Sequence, residues 1–201
     1  MTKKESLAQY KSQRDFTKTP EPKGTQKQKH RTNPIFVIQK HQARHLHYDV
    51  RLEIDGVLKS WAVPKGPSTD PTIKRLAIPT EDHPLEYATF EGVIPEGQYG
   101  AGTVMVWDIG TYENIKYSKG KPISMLDCYL NGHIEVFLHG KKLTGAYTLI
   151  HLEKSTYKQG GWLLIKMRDD YASTSNILTS KPRSVLTGRT MTQIRKESSW
   201  E

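Results

Sequence analysis

The sequence predicts a mainly β protein: a compact antiparallel β-barrel with little helix, preceded by a flexible basic N-terminal segment. Three observations point there. Short β-branched and aromatic runs recur through the middle of the chain, Gly, Pro and Asp separate them, and the excess positive charge lies outside that region. The chain has 201 residues, with 30 Lys and Arg against 21 Asp and Glu, for a formal net charge of +9. Residues 1–32 carry +6, residues 181–201 carry +3, and residues 33–180 balance to zero. The chain therefore reads as a basic N-terminal segment (1–32), a barrel domain (33–180) and a basic C-terminal tail (181–201). Five apolar residues in the first 32 are too few to order that segment alone.

The strands follow in order. Ile35–Gln39 is short and β-branched, and His47–Ile54 alternates strictly. Asp55-Gly56 is a hairpin turn leading into Val57–Val63. Arg75–Ile78, Gly102–Asp108, His133–Leu138, Gly145–His151 and Trp162–Arg168 read as further strands. Helix is confined to Ser124–Leu130 and Leu7–Arg14. Short strands joined by turns, without a repeat of fixed period, argue for a sandwich or barrel.

Composition also excludes some classes. No apolar run approaches the eighteen residues of a membrane-spanning helix, and Met1–Tyr10 has no apolar core of a secretory signal. The single cysteine, Cys128, excludes an internal disulfide framework and a multi-cysteine zinc site. A cytoplasmic, monomeric protein is expected. The basic ends suit a polyanion such as nucleic acid, the plainer alternative being a solubility tail.

The segment His47-Tyr48-Asp49-Val50-Arg51-Leu52-Glu53-Ile54 carries the chemistry. As a strand it places Tyr48, Val50, Leu52 and Ile54 on one face, suited to a core. His47, Asp49, Arg51 and Glu53 fall on the other, about 6.6 Å apart from one to the next. An ordinary solvated face is one reading. However, His and Asp can share one divalent metal, and Arg offers a planar fork to phosphate oxygens beside it. His41 lies across the turn as a third candidate ligand, with His45 ranked lower. Downstream, Glu81-Asp82-His83-Pro84-Leu85-Glu86-Tyr87 offers an imidazole and a phenol. The glycine-rich Glu96–Gly102 stretch lacks the Lys-Ser/Thr of a P-loop and opens no helix, so it reads as a tight turn or bulge.

Two long stretches, FVIQKHQARHLHYDVRLEIDGVLKSWAVPKGPS and RLAIPTEDHPLEYATFEGVIPEGQYGAGTVMVWDIGTYE, closely resemble the 3′-phosphoesterase domain of bacterial DNA ligase D. The resemblance runs from about Tyr10, where YKSQRDFTKTPEP resembles the family's N-terminal motif, to about Tyr171. The last thirty residues show no matching motif. The resemblance implies a β-barrel, manganese-dependent enzyme of DNA repair and non-homologous end joining. Such enzymes remove a 3′-terminal ribonucleoside and then the remaining 3′-phosphate, leaving a 3′-hydroxyl. By motif, the metal ligands fall on His41, His47 and Asp49, for Mn²⁺ or another divalent transition metal. Arg51 and His83 contact phosphate, and Tyr87 lines the site. Gln39, Lys65, Arg75 and Glu81 match supporting positions. Arg14, Asp15 and Glu21 match the motif that assists ribonucleoside removal, which implies that residues 10–22 dock on the barrel, with 23–32 as a linker. The implied partners are DNA or RNA 3′ ends at primer–template junctions, a ligase, a polymerase and an end-binding protein. The ligase motif Lys-x-Asp-Gly is absent, its nearest match being Glu53-Ile54-Asp55-Gly56. The expectation is a stand-alone enzyme or an excised domain.

Two other readings stay open. One is a non-catalytic nucleic-acid-binding barrel. The other is an iron oxygenase that joins His47 and Asp49 to a distant His133, His139 or His151.

Overall fold

The computed structural model describes residues 6–25, 33–154 and 160–197. A short helix, α1 (Ala8–Ser12), precedes the strands. β1 (Ile35–Gln42), β2 (Leu46–Ile54), β3 (Val57–Val63) and β4 (Lys74–His83) form an antiparallel meander. Asp55 and Gly56 turn β2 into β3 with φ of 50° and 79°, the left-handed pair expected from Asp-Gly. After β4 come a 3-10 helix (Leu85–Thr89), β5 (Gly92–Ile94) and the long β6 (Gly102–Asn114). A small hairpin, β7 (Tyr117–Ser118) and β8 (Lys121–Pro122), leads to α2 (Met125–Leu130), which Ser124 caps by accepting the Asp127 N–H at 3.1 Å. β9 (His133–Gly140), β10 (Thr144–Leu152) and β11 (Gly161–Lys166) complete the sheet, and α3 (Ile177–Ser180) and α4 (Met191–Glu197) follow.

The strand order is β1-β2-β3-β4-β11-β10-β9-β6, and β6 pairs back onto β1. Eight antiparallel strands thus close into a barrel, and β5 adds to the edge of β6. Several strands outrun their expected ends: β1 continues to Gln42, β4 to His83 and β6 to Asn114, whereas β11 stops at Lys166 rather than Arg168. Local composition marks a strand's centre, but its ends depend on where a partner continues to offer hydrogen bonds.

Two apolar clusters use opposite faces of the wall. The larger fills the barrel and includes Phe36, Ile38, Val50, Leu52, Trp61, Trp107, Val136 and Leu149. The smaller lies outside β1, β3 and β6 and joins Val37, Leu58 and Val106 to Leu85, Tyr87, Leu7 and Tyr10. The N-terminal segment therefore lies against the outer wall, with Leu7 and Tyr10 buried. Composition alone does not foresee this, because the few apolar side chains there find their partners on the barrel. Residues 26–32 of the expected linker lie outside the described residues. The basic C-terminal stretch also packs more than its composition suggests. Ile194 is fully buried, and the Lys181 carbonyl accepts the Trp107 indole N–H at 2.8 Å. Among the described residues no helix is long and apolar enough to cross a membrane.

Candidate active site

The polar face of β2 is not a solvated face. Asp49 and Arg51 are buried, because the N-terminal segment and the connection from β4 to β6 cover this part of the outer wall. Register brings the side chains together. His41 stands opposite His47 and Gln39 opposite Asp49 across β1 and β2, and Asp49 stands opposite Ala62 on β3. β4 needs an irregularity to take part. Ser60 is opposite Thr80 but Leu58 is opposite His83, so β4 carries one extra residue there. Strict alternation would aim Arg75, Ala77, Pro79, Glu81 and His83 at one face. The bulge turns Glu81 and His83 outward to the site and leaves Ala77 in the barrel core.

A cavity of about 160 Å³ results, lined by Arg14, His41, His47, Asp49, Arg51, Glu81, His83, Tyr87 and Tyr99 among others. Candidate ligand atoms of His41, His47 and Asp49 lie within 4.8 Å of one another. Outer contacts assign the histidine tautomers. His41 Nε2 donates to the Gly100 carbonyl at 3.0 Å, and His47 Nδ1 donates to the His45 carbonyl at 3.0 Å. The remaining nitrogens, His41 Nδ1 and His47 Nε2, face the Asp49 carboxylate at 3.6 and 3.5 Å. Lone pairs that converge on a carboxylate with both N–H groups already committed fit a cation, and carbonyl-anchored imidazoles are the usual second layer of a metal site. Burial disfavours the charged Asp49, yet Arg51 and the two imidazoles hold its carboxyl well below the usual range. For His47, burial opposes protonation, but its hydrogen bond to Asp49 and the charge there outweigh it and raise its pKa.

Arg51 organises the next layer. Its Nε donates to Gln39 Oε1 at 2.8 Å and Nη2 to Asp49 at 2.9 Å, while Nη1 lies 2.9 Å from His83 Nδ1, which is also 2.8 Å from the Glu81 carbonyl. Gln39 is itself fixed, since its amide donates to the carbonyls of Tyr87 and Phe90. Two of the five guanidinium N–H groups are thus committed to oxygen acceptors, and Nη1 is turned toward His83 in the cavity. Burial, then the charges of Arg51 and Arg14, push the His83 pKa well below the ordinary value, so its ring is neutral.

The N-terminal segment supplies the roof. Arg14 donates to Glu21 at 2.9 Å, to Glu81 at 3.0 Å and to the Tyr10 carbonyl at 3.1 Å. Glu21 also accepts from the Tyr87 hydroxyl at 3.0 Å, and burial keeps that phenol protonated. Two guanidiniums against the carboxylates of Glu21, Asp49 and Glu81 leave one negative charge in excess. A dication would reverse that balance, which suits an anionic substrate.

Not every expected residue arrives. Asp15 is outside the cavity, where it caps a turn by accepting the Thr17 N–H and hydroxyl at 3.1 and 2.6 Å and pairs with Lys18. Those hydrogen bonds lower its pKa to about 2. Lys65 is exposed beyond the end of β3. Arg75 lines a separate small cavity with Ser68 and Asn176. His45 contributes its carbonyl to the site, while the side chain is exposed. His139 pairs with Glu113 and His133 with Glu135, so neither belongs to the metal cluster, and His151 packs on Trp162. The arrangement with a distant histidine is not formed.

Residues 39–151, more than half of the chain, match the DNA Ligase D 3′-phosphoesterase domain family. The chain belongs to this family. It is 46% identical over 195 residues, or 95% of its length, to the multifunctional non-homologous end joining protein LigD of Pseudomonas aeruginosa. It is 51% identical over 144 residues to a multifunctional non-homologous end joining DNA repair protein LigD of Mycobacterium tuberculosis, covering 72% of the chain. A LigD protein of Mycolicibacterium smegmatis is 47% identical over 165 residues, or 82% of the chain. The chain spans about a fifth of the length of these relatives, 22%, 18% and 21% respectively. The similarity to the Pseudomonas protein extends into the last thirty residues, for which the motifs alone offer no counterpart.

The matched part of this phosphoesterase-family chain contains Gln39, His41, His47, Asp49, Arg51, Glu81, His83 and Tyr87, whereas Arg14 reaches the cavity from outside that part and Glu21 holds Arg14 and Tyr87 behind it. The sequence reading misses Tyr10, which carries the Arg14 guanidinium 3.9 Å above its ring, and Tyr99 on the cavity rim. Tyr10 sits in the quoted N-terminal motif and was readable as a buried aromatic. Tyr99 sits in the glycine-rich loop, where no local pattern marks an aromatic ring as facing a cavity.

Proposed function

We propose that the chain is a divalent-metal-dependent 3′-phosphoesterase, with Mn²⁺ as the preferred ion, that heals nucleic-acid 3′ ends. It removes a 3′-terminal ribonucleoside by phosphodiester cleavage and then hydrolyses the 3′-phosphate to a 3′-hydroxyl. The observation that carries this reading is the convergence of the His41, His47 and Asp49 lone pairs beside the Arg51–His83 pair in one buried cavity. Held there, the ion would supply Lewis acidity toward a phosphate oxygen and a more acidic water. Arg51 uses its remaining N–H groups on phosphate oxygens and stabilises charge that grows on them in the transition state. His83, neutral, holds phosphate rather than acting as an imidazolium acid. Gln39 and Glu81 position the two guanidiniums, and Tyr87 with Glu21 anchors the N-terminal roof over the site. Arg14 and Glu21 serve the ribonucleoside step, which needs more of the substrate to be held than a phosphate. The exposed Lys65 and the half-buried Arg75 would contact nucleic acid outside the cavity, and Asp15 shapes the segment that carries Arg14.

Residues 33–180 form the catalytic barrel, with the basic ends 1–32 and 181–201 flanking it. The substrate is a DNA or RNA 3′ end at a primer–template junction. A ligase, polymerase and end-binding protein would use the product in end joining, in the cytoplasm, with this chain acting as a monomer.

The test is a labelled primer–template with one 3′-terminal ribonucleotide, incubated with and without Mn²⁺ and resolved on a denaturing gel. Shortening by one nucleoside, then loss of the 3′-phosphate, only with Mn²⁺, is expected. An unchanged strand with folded protein and Mn²⁺ present would overturn the reading in favour of a binding module.

A further inference from the structure

The cavity lining is of two kinds. Arg14, Asp49, Arg51 and Glu81 are charged and stand with the imidazoles of His41, His47 and His83, while Ala43, Ile94 and Tyr99 add apolar surface. Tyr99 is the unusual member. Its side chain is large, yet the residue is 47% exposed, whereas Tyr87 on the same lining is 2% exposed. An exposed aromatic ring on the rim of a polar cavity is not needed for packing. It is nevertheless held in place. Its hydroxyl donates to Glu81 at 3.3 Å, and the Arg14 guanidinium lies 5.4 Å from its ring centroid. The neighbouring Gly100 carbonyl fixes the His41 ring, so one loop carries both an aromatic face and the anchor of a candidate metal ligand. Gly97 and Gly100, with φ of 80° and 76°, allow the tight path that presents it.

We propose that Tyr99, flanked by Ala43 and Ile94, is the nucleobase subsite for the leaving 3′-terminal nucleoside. This rests on the end-healing reading above and extends it to a part of the cavity that phosphate contacts leave unused. A flat apolar face beside a guanidinium is the chemistry that holds any base by stacking, without reading its hydrogen-bonding edge. The place is assigned to the leaving nucleoside because Glu81 and Arg14, which Tyr99 contacts, reach His83 at 3.6 and 3.5 Å on one hand and the N-terminal roof on the other, so the ring lies next to the phosphate position and on its roof side. Tyr99 therefore contributes most when a nucleoside must be held beyond the scissile phosphate. It contributes least when the substrate ends in phosphate.

The experiment measures kcat/KM of the full chain and of Tyr99→Ala and Tyr99→Phe with Mn²⁺. Two substrates are used: a strand ending in one ribonucleotide and the same strand ending in a 3′-phosphate. Tyr99→Ala is expected to lower nucleoside removal about five- to a hundredfold, mainly through KM, and phosphate removal by clearly less. Tyr99→Phe, which keeps the ring and loses the bond to Glu81, is expected to stay near wild type, and all four terminal ribonucleotides are expected to react similarly. Equal losses on both substrates, or a Tyr99→Phe defect as large as that of Tyr99→Ala, would overturn the subsite and make Tyr99 a positioning residue for Glu81. No loss in Tyr99→Ala would overturn it as well. A wild-type chain inert on both substrates would instead remove the end-healing reading itself.

Discussion

At the scale of single residues, the site depends on side chains whose second contact fixes what the first can do. His47 spends its Nδ1 proton on the His45 carbonyl, leaving Nε2 for the shared position beside Asp49. His47→Ala or Asp49→Ala is expected to abolish Mn²⁺ binding, read by calorimetry, together with both activities; turnover retained in either variant would remove that residue from the ligand set. Arg51→Ala is expected to keep Mn²⁺ binding and to lower phosphate hydrolysis about a hundredfold or more, since a buried donor to the transferring group is missing. Failure of that variant to bind Mn²⁺ would make Arg51 structural. Acid dependence follows from His83. Its pKa is depressed in the folded chain, so the unfolded chain binds more protons between the folded value and the ordinary one near 6.5. The contribution of His83 to stability is thus full above that ordinary value and is lost as pH falls below it. Between about pH 7 and 5, His83→Gln is expected to show a shallower decline in melting temperature than wild type. Parallel declines would mean that His83 does not titrate this way.

At the scale of elements, the β4 bulge and a close approach between β6 and the β1–β2 turn matter most. The bulge decides that Glu81 and His83 face the site and that Arg75 does not, because one extra residue inverts the alternation. Gly102 opens β6 with a φ of 143°, and a Cβ there would lie 2.3 Å from the Gln42 carbonyl oxygen. That carbonyl belongs to backbone next to His41 and cannot move alone. Gly102→Ala is expected to cost about 1–3 kcal/mol in urea denaturation and to weaken Mn²⁺ affinity as the strands are forced apart. Gly97→Ala is the control. A Cβ at Gly97 meets nothing within 4 Å, so only its φ of 80° opposes the change, at about 1 kcal/mol. Equal effects of the two substitutions would show that the close approach is not what Gly102 serves.

At the scale of the whole molecule, the barrel interior and the site use opposite faces of one wall. The interior cluster includes neither Leu7 nor Tyr10, whereas the outer cluster includes both. Removing residues 1–22 is therefore expected to leave a folded barrel, by near-ultraviolet circular dichroism, but to uncover Glu81 and Tyr87 and to impair nucleoside removal most. Collapse of the barrel signal on truncation would show that the two clusters are one folding unit. The net charge of +9 adds a distance-tolerant attraction for nucleic acid, so affinity for a primer–template is expected to fall steeply with salt. A flat salt response would remove the electrostatic role of the basic ends.

The strands and the Asp55-Gly56 hairpin were readable because period-two alternation and turn chemistry are local properties. Ala8–Ser12 and Met125–Leu130 were readable from equally short-range signals. The cluster of His47, Asp49 and Arg51 was also readable, since every second residue of a strand shares a face. Tertiary structure decided what no local pattern carries. Closure of β6 onto β1, and the cover laid over the outer wall, turned a polar strand face into a buried site. The β4 bulge separated Arg75 from Glu81 and His83, although even spacing would have grouped them. Leu7, Tyr10 and Ile194 are buried against surfaces formed by distant strands, so composition alone left both ends as tails. Tyr99 gained a place at the cavity because its loop returns beside His41, through the Gly100 carbonyl 59 positions away, a contact that only the folded sheet creates.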